Sequence, residues 1–377
     1  MEALFWISAA WVAYVYAGYP LLAWLLSALF GRPVRRGDIS PRVTVLTAAY
    51  NEAACIGATI RNKLDQDYPP ELLDVIVVSD ESADGTDEIV ASMGPRVQLI
   101  RQSPRAGKTA ALNLAVARAA GEILVFSDAN SMYAPDTIRR LVRNFADPAV
   151  GYVTGKMVYV NEDGSLVGDG CSAYMKYENW LRASESRLAA VIGVDGGVDA
   201  ARRSVYRPMR AEQQPDFVLP LGVAEQGYRV VYEPDAQLQE SALSEHDAEY
   251  RMRVRVTLRA LWALWDMRHL MNPLRYGLLA FQIVSHKLLR YLAFMPLVAA
   301  FLVSWALAAQ DRLMLLAALL QTVAYALAAV GWAGRGRNRS FLIGFPYYFV
   351  LLNLACAQAV IKFIAGQRQA IWAPRTG

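Results

Sequence analysis

The sequence predicts an α/β domain, with a mostly parallel sheet flanked by helices, joined to an α-helical transmembrane region. Three observations predict it. From residue 43 to 145, short apolar runs alternate with helix-patterned stretches, the signature of strands linked by right-handed crossovers. Four runs, 3–30, 291–310, 313–333 and 341–361, contain no charged residue. Each is about long enough to cross a hydrocarbon core. Finally, 55% of the 377 residues are apolar and 19% are charged. That is too apolar for an ordinary soluble protein and too charged for one wholly in the membrane, so a mixed layout follows.

Charge distribution and element pattern together give the boundaries: an N-terminal transmembrane helix at 1–34, a polar α/β domain at 35–245, interfacial helices at 246–290, and transmembrane helices with a tail at 291–377. The first run is too long for the apolar core of a signal peptide and has no basic segment before it. Arg32, Arg35 and Arg36 follow it, which puts that end in the cytoplasm. Cys55, Cys171 and Cys356 are too scattered for a disulfide framework or a zinc site, as expected of a reducing cytosol. His246, His269 and His286 lack metal-ligand spacing. A net charge of +4 makes no case for nucleic acid. From 250 to 270, arginines interleave with Val, Leu, Trp262 and Trp265, which reads as a basic amphipathic helix at an anionic membrane surface or as a solvated helix face. The basic loop at 334–339 belongs in the cytoplasm, yet the tail with Lys362, Arg368 and Arg375 is basic too. Four full spans would leave both termini outside, so either the last run is re-entrant or the tail's charge misleads.

The elements follow in order. Residues 42–48 form a strand. A helix starts at Asn51 and runs to about Leu64. A second strand at 74–79 ends in Asp80, a helix covers 84–93, and a third strand covers 96–100. The Ala- and Leu-rich stretch 108–119 is a helix. The strand at 123–126 runs out to Asp128, and a helix follows at 136–145. Beyond it come one or two strands at 150–160, a helix at 174–188, a tight turn at Asp195-Gly196-Gly197-Val198, a helix at 216–226 and a strand at 228–232.

Polar residues gather at the carboxyl ends of the parallel strands, where open α/β sheets hold ligands. Strand one ends in Asn51-Glu52, strand two in Asp80 and Asp84, strand four in Asp128-Ala-Asn130. On extended backbone Asp128 and Asn130 point the same way, so both can approach one hard cation and a diphosphate. Taken alone, that tip reads equally well as a polar turn capping the next helix. Carboxylates there can also accept from a base N–H or a ribose hydroxyl. The stretch from Gln102 to Thr109 mimics a phosphate loop but lacks its first glycine and contains a proline. Lys108, at a helix amino end, contacts a diphosphate or is solvated.

Four motifs in this order, Ala49-Tyr50-Asn51-Glu52, Ser79-Asp80 through Asp84-Gly85-Thr86, Gly107-Lys108 through Asn113, and Phe126-Ser-Asp128-Ala-Asn130, resemble the family 2 glycosyltransferases of GT-A fold. The resemblance continues through Gly196-Gly197 to Arg202-Arg203, Pro215-Asp216 and Gly227-Tyr228, and covers residues 43–262. The flanking spans look like those of membrane-bound polysaccharide synthases such as the hyaluronan, cellulose and poly-N-acetylglucosamine synthases. The resemblance implies that Glu52 and Asp80 bind the uridine of a UDP-sugar and Lys108 its nucleotide or diphosphate. It places Asp128 and Asn130 where Mg2+ or Mn2+ binds, and Asp216 as the general base of direct displacement with inversion.

Three departures accompany it. Asn130 replaces an aspartate, Pro215 replaces the first acid of the usual acidic pair, and the Gln-x-x-Arg-Trp motif of processive synthases is missing. Arg251, Arg253, Arg255 and Trp262 stand in its region as contacts for diphosphate, acceptor sugar or lipid headgroups. The expectation is an integral membrane enzyme of a bacterial inner or plasma membrane, with a cytoplasmic catalytic domain. It takes a nucleotide-sugar donor and a glycan or lipid-linked acceptor, in contact with membrane lipids and with no nucleic acid; its oligomeric state is open. Single sugar addition to a lipid is an alternative to polysaccharide synthesis. A non-catalytic transport or binding protein is disfavoured because the apolar runs carry no charge. A nucleotidyltransferase would need a glycine-rich loop after strand one.

Overall fold

The computed structural model describes residues 1–160, 169–241, 246–334 and 340–368; the predicted basic loop, apart from Gly334, and Arg375 lie outside the described residues. Two compact units emerge: one from Met1–Leu29, Val167–Leu181 and Leu243–Arg368, the other from Phe30–Leu166 and Arg182–Ala242. In chain order, α1 (Glu2–Ala13), a π-helical turn and α2 (Tyr19–Phe30) come first. Then follow β1 (Val43–Ala49), α3 (Ile56–Leu64), β2 (Leu73–Asp80), α4 (Thr86–Ala91), β3 (Val97–Gln102), α5 (Lys108–Arg118), β4 (Ile123–Asp128), β5 (Met132–Tyr133) and α6 (Thr137–Val142). After these come β6 (Val150–Val160), α7 (Asp169–Leu188), β7 (Asp199–Arg202), α8 (Pro215–Glu225), β8 (Arg229–Ser241) and α9 (His246–Asp266). The last helices are α10 (Pro273–Tyr276), α11 (Leu278–Ile283), α12 (Leu289–Tyr291), α13 (Phe294–Leu307), α14 (Arg312–Ala333) and α15 (Phe341–Ile364).

The second unit is built on one sheet of order β3-β2-β1-β4-β7-β6-β8-β5. Its first four strands are parallel, as predicted, and the apolar runs of β1, β2 and β4 are buried on both faces, with Val45, Val75 and Val125 on one and Leu46, Ile76 and Leu124 on the other. The register brings Ala48 level with Asp128, Ala49 with Ser79 and Asp80 with Gln102, so the polar tips emerge on one line. The rest of the sheet is mixed: β7 runs antiparallel to β4 and β6, β8 parallel to β6, and β5 antiparallel to β8. Strand β7, Asp-Ala-Ala-Arg, went unread because small residues carry little strand signal.

The predicted helix start at Asn51 is five residues early. Asn51 (φ +54°) and Glu81 (φ +66°) adopt left-handed backbone, and the chain after β1 turns before it coils. Side chains of one tip satisfy the backbone of the other: Ala83 N–H donates to Asn51 Oδ1 (2.9 Å), Ala53 N–H to Asp84 Oδ2 (2.9 Å) and Glu52 N–H to Thr86 Oγ1 (2.9 Å). Across the sheet, the fully buried Glu233 is gripped by Arg143 through two 2.9 Å bonds and by Asn144 Nδ2 at 2.9 Å.

The first unit is helical. Among its described residues three helices, Glu2–Phe30, Arg312–Ala333 and Phe341–Ile364, are long and apolar enough to cross a membrane. The uncharged run at 291–310 holds the second arm of a bent pair, Leu278–Tyr291 and Phe294–Leu307, meeting at 53°. The cause is Pro296 in the first turn of α13, which has no N–H for the Leu292 carbonyl and whose ring crowds it. Alone, α13 rises only about 21 Å, short of a full crossing. Helix α9 packs its Val254, Leu258 and Leu261 on Ala355 and Ala359 of α15. Trp265 remains 53% exposed. Glu178 and Arg290 form a buried ion pair at 2.5 Å, with His286 at 3.6 Å.

Truncating one partner of a buried ion pair strands the other charge. Arg143→Ala is therefore expected to destabilise the sheet unit by ~3 kcal/mol. A lowered unfolding midpoint of the detergent-solubilised chain would report this, and an unchanged midpoint would contradict it.

Candidate active site at the strand tips

Strand β4 carries Asp128 to the edge of the sheet, and α5 begins at Lys108 directly beside it. Lysine Nζ sits 2.5 Å from Asp128 Oδ1 and 3.7 Å from Asp216 Oδ1. Asp216 reaches this point because Pro215 opens α8, placing the aspartate in the helix's first turn, where free N–H groups favour an anion. Burial works against the Lys108 charge, but the Asp128 and Asp216 carboxylates outweigh it and raise the lysine's pKa. Lys108, Asp128 and Asp216 line one small cleft with Phe126, Tyr152 and Gly197.

Two glycines let these groups meet. Gly196 and Gly197 both take positive φ, +75° and +73°. A Cβ at Gly196 would lie 2.8 Å from Asp216 Cγ, and one at Gly197 would lie 3.3 Å from Asp128 Oδ2. Only glycine supplies that backbone and that clearance together. The loop is anchored by Arg182, whose guanidinium grips Asp195 with two 2.5 Å bonds and donates to the Gly193 carbonyl at 3.2 Å. A lone arginine within a helical pattern gave no signal of this role.

The other predicted residues are placed as follows. Asp80 is buried and its carboxylate is engaged by the chain itself, accepting from Gln102 Nε2 (2.5 Å), Ala106 N–H (2.8 Å) and Gly107 N–H (2.9 Å). It thereby holds the loop that starts α5. Beside it, the Arg105 guanidinium lies 3.4 Å over the Tyr50 ring. Glu52 is half-buried, accepts from Cys55 Sγ at 3.1 Å, and has its pKa raised by burial with the Asp128 charge nearby. Asn130 does not continue the strand: Ala129 and Asn130 form a turn after β4, closed by Ser131 N–H on the Asp128 carbonyl at 3.2 Å. The extended backbone behind the expected shared orientation therefore ends at Asp128, and Asn130 is exposed in the turn at the tip.

That turn rests on Lys63, which sequence reading missed. The side chain is fully buried and donates to the Ser131 carbonyl at 2.5 Å and Asn62 Oδ1 at 3.0 Å, with its ammonium 3.7 Å from the Tyr133 ring centre. Burial pushes this lysine down to about 7. Arg251, Arg253, Arg255 and Trp262 lie on α9 in the helical unit. Arg253 pairs with Glu249 (2.8 Å) and donates to Tyr348 Oη (2.8 Å). The Trp262 ring packs 4.5 Å from that of Phe363, and its Nε1 donates to the Gln367 carbonyl at 2.8 Å. Arg251 is exposed and Arg255 half-buried.

Among the described residues no three of His, Cys, Asp or Glu are grouped to hold a metal ion. The donors at the cleft fit a different arrangement. A hard divalent cation commonly takes one or two protein oxygens and completes its shell from phosphates and water. Asp128, with its side chain 43% exposed and already neutralised by an ammonium, is such a donor. The cleft thus joins an accessible carboxylate, a fixed cation and a second carboxylate at a helix amino end.

Residues 44–190 match the family model described as Glycosyl transferase family 2. A beta-monoglucosyldiacylglycerol synthase from Synechocystis sp. is 30% identical over 215 residues, covering 52% of this chain and 43% of that protein. An N-acetylglucosaminyltransferase from Rhizobium sp. is 26% identical over 222 residues, covering 53% of this chain and 48% of that protein. The chain thus spans about half the length of these curated relatives or less. A solved mannosyltransferase from Pyrobaculum calidifontis, in complex with GDP-Man and Mn2+, superposes with a TM-score of 0.72 at 25% identity, over 97% of this chain and 99% of that one. The mixed sheet with its row of acidic strand tips and these likenesses agree: the chain carries a family 2 glycosyltransferase domain of GT-A fold.

Proposed function

We propose that this chain is an integral-membrane, metal-assisted, inverting glycosyltransferase that moves a sugar from a nucleoside diphosphate, UDP in our reading, to a glycan or lipid-linked hydroxyl. The observation that carries the reading is Lys108 between Asp128 and Asp216, 2.5 and 3.7 Å from their oxygens. One ammonium is then in reach of both the leaving group and the base. The catalytic domain works on the cytoplasmic side. The likeness to a mannosyltransferase in complex with GDP-Man and Mn2+ supports a nucleotide-sugar donor and a divalent cation.

In this reading Asp128, with Asn130 beside it, holds Mg2+ or Mn2+. When bound, the ion offsets the charge that builds on the leaving diphosphate. Asp216 takes the proton of the acceptor hydroxyl, because an alcohol is a poor nucleophile until a base relieves it. The acceptor oxygen forms its bond to the anomeric carbon as the bond from that carbon to the phosphate oxygen breaks. The electron pair of the broken bond stays on the diphosphate, where Lys108 meets it. A single base and a single displacement give inversion. Glu52 and Asp80 serve the nucleoside, Asp80 chiefly through the loop it fastens.

A second reading concerns the acceptor. Trp262 and Arg253 are engaged by Phe363, Gln367, Glu249 and Tyr348 within the helical unit. With no Gln-x-x-Arg-Trp motif to grip a growing chain, this favours single addition to a lipid acceptor. The similarity to a beta-monoglucosyldiacylglycerol synthase agrees with it.

The test is a donor panel on the chain in nanodiscs with Mg2+ or Mn2+, reading nucleoside diphosphate release with and without lipid acceptors. At least one donor should be turned over, and release with no donor in any membrane preparation sinks the reading. Asp216→Asn should lower turnover by a factor of about 10²–10⁴ while Mn2+ binding persists. Asp128→Ala should weaken Mn2+ binding itself, measured by titration calorimetry. Gly196→Ala, which puts a methyl 2.8 Å from Asp216 Cγ, should reduce turnover with Mn2+ binding retained. Normal activity in either Asp216→Asn or Gly196→Ala would exclude Asp216 as the base.

A further inference from the structure

Asp199 has no part in the chemistry above, yet it stands in the middle of it. It opens β7 and lies opposite Phe126 of β4 and Thr154 of β6. Residues directly opposite in a ladder share a face of the sheet, and so do residues two apart on one strand. Phe126 lines the cleft, and so does Tyr152, two residues before Thr154. Asp199 therefore belongs to the cleft's floor. It is 1% exposed. No well-formed hydrogen bond reaches either carboxyl oxygen, and the hydrogen-bonding side chains beside them are the Thr154 and Tyr152 hydroxyls. An ionised carboxylate in that setting would bear a large desolvation cost without compensation, and such a group takes up a proton instead.

Its neighbours point the same way. The charged and titratable groups around it are Asp216 of α8, Asp195 of the glycine loop, Lys108 of α5, Tyr152 of β6 and Tyr133 of β5. Burial first, then the Asp216 and Asp195 charges, push the Asp199 carboxyl up to about 8; Thr154 and Lys108 oppose the rise without cancelling it. Two carboxyl groups placed near each other with unequal solvation separate into an acid and a base. Asp216, in the first turn of a helix and ion-paired with Lys108, is the base of that pair.

We propose that Asp199 is a proton-holding positioning residue: as the neutral acid it leaves Lys108 shared between Asp128 and Asp216, and as the anion it competes with them for that ammonium and disables sugar transfer. In the neutral state one ammonium serves two carboxylates. Ionising Asp199 makes that three carboxylates to one ammonium, before an anionic diphosphate enters the same cleft. Donor binding should suffer first, so the loss falls on KM before kcat. Transfer is present while the acid holds its proton and is lost as pH rises through about 8.

The kinetic part rests on the glycosyltransferase reading; the protonation part does not. Two experiments separate them. The pH profile of kcat/KM for the wild-type chain in nanodiscs should have an alkaline limb near pH 8, falling about tenfold per unit above it. In Asp199→Asn, neutral at every pH, that limb should disappear or move up by more than about one unit, with the acid limb unchanged. An alkaline limb that stays in place overturns the proposal. So does an Asp199→Asn chain that folds and binds Mn2+ yet is inactive at every pH, because the anion would then be required. The second experiment is infrared difference spectroscopy on the wild-type chain between neutral and alkaline pH. It should show the carbonyl band of a buried carboxylic acid lost on alkalinisation, a band missing in Asp199→Asn and displaced in Asp199→Glu. Failure to see it overturns the proposal without any need for turnover. If no donor is turned over but the band is present, the functional reading fails and the protonation of Asp199 stands.

Discussion

The Lys108 ammonium, shared between Asp128 and Asp216, is the interaction on which the rest of the site depends. A parallel sheet ends its strands in a row, and a row of acidic tips repels itself. One cation between the tips relieves that repulsion. Much of the nearby chain keeps this point in place. Gly107 takes a φ of +90° so that α5 can begin at Lys108. The Asp80 carboxylate ties down the two N–H groups just before it. Pro215 starts α8 one residue before Asp216.

The same economy of charge recurs behind the site. Arg182 answers Asp195 and so sets the loop whose two glycines face Asp216 and Asp128. Lys63, with no access to water, spends its protons on the Ser131 carbonyl and Asn62 beneath the Asp128 turn. Arg143 answers Glu233 farther along the sheet. In the helical unit Arg290 answers Glu178 by the same rule, next to the break of the bent helix pair. Buried charge is costly unless it is paired and hydrogen-bonded. Asp199 is the informative departure: at 1% exposure its carboxyl group has hydroxyls and other carboxylates around it rather than a cation in well-formed contact, the setting in which such a group holds a proton.

The parallel half of the sheet, the positions of Glu52, Asp80, Lys108, Asp128 and Asp216, and three helices long enough to cross a membrane were legible in the residue order. Each depends on local pattern: apolar runs of strand length, Gly and Pro punctuation, and stretches of some twenty residues without charge. The errors were also local in cause. Asn51 was read as a helix start because Asn-Glu before apolar residues usually is one, whereas here φ is +54° and the side chain serves the neighbouring tip. Asn130 was placed on extended backbone, but the strand stops at Asp128. The uncharged run at 291–310 contains the second arm of a bent helix pair whose first arm, Leu278–Tyr291, carries charges and so gave no span signal.

What the sequence determined by itself, then, was which residues reach the strand ends, because strand length and polarity are written along the chain. Only the tertiary structure decided which of them meet. Asp216 is 88 positions after Asp128 and joins it through Lys108. Arg182 and Lys63 stand in no motif, and Asp199 sits in the Gly196-to-Arg203 stretch with no role implied for it. Their roles come from burial and from which charges surround them, and both are properties of the packed chain: a charged group is neutralised, paired or protonated according to neighbours that the sequence places far away.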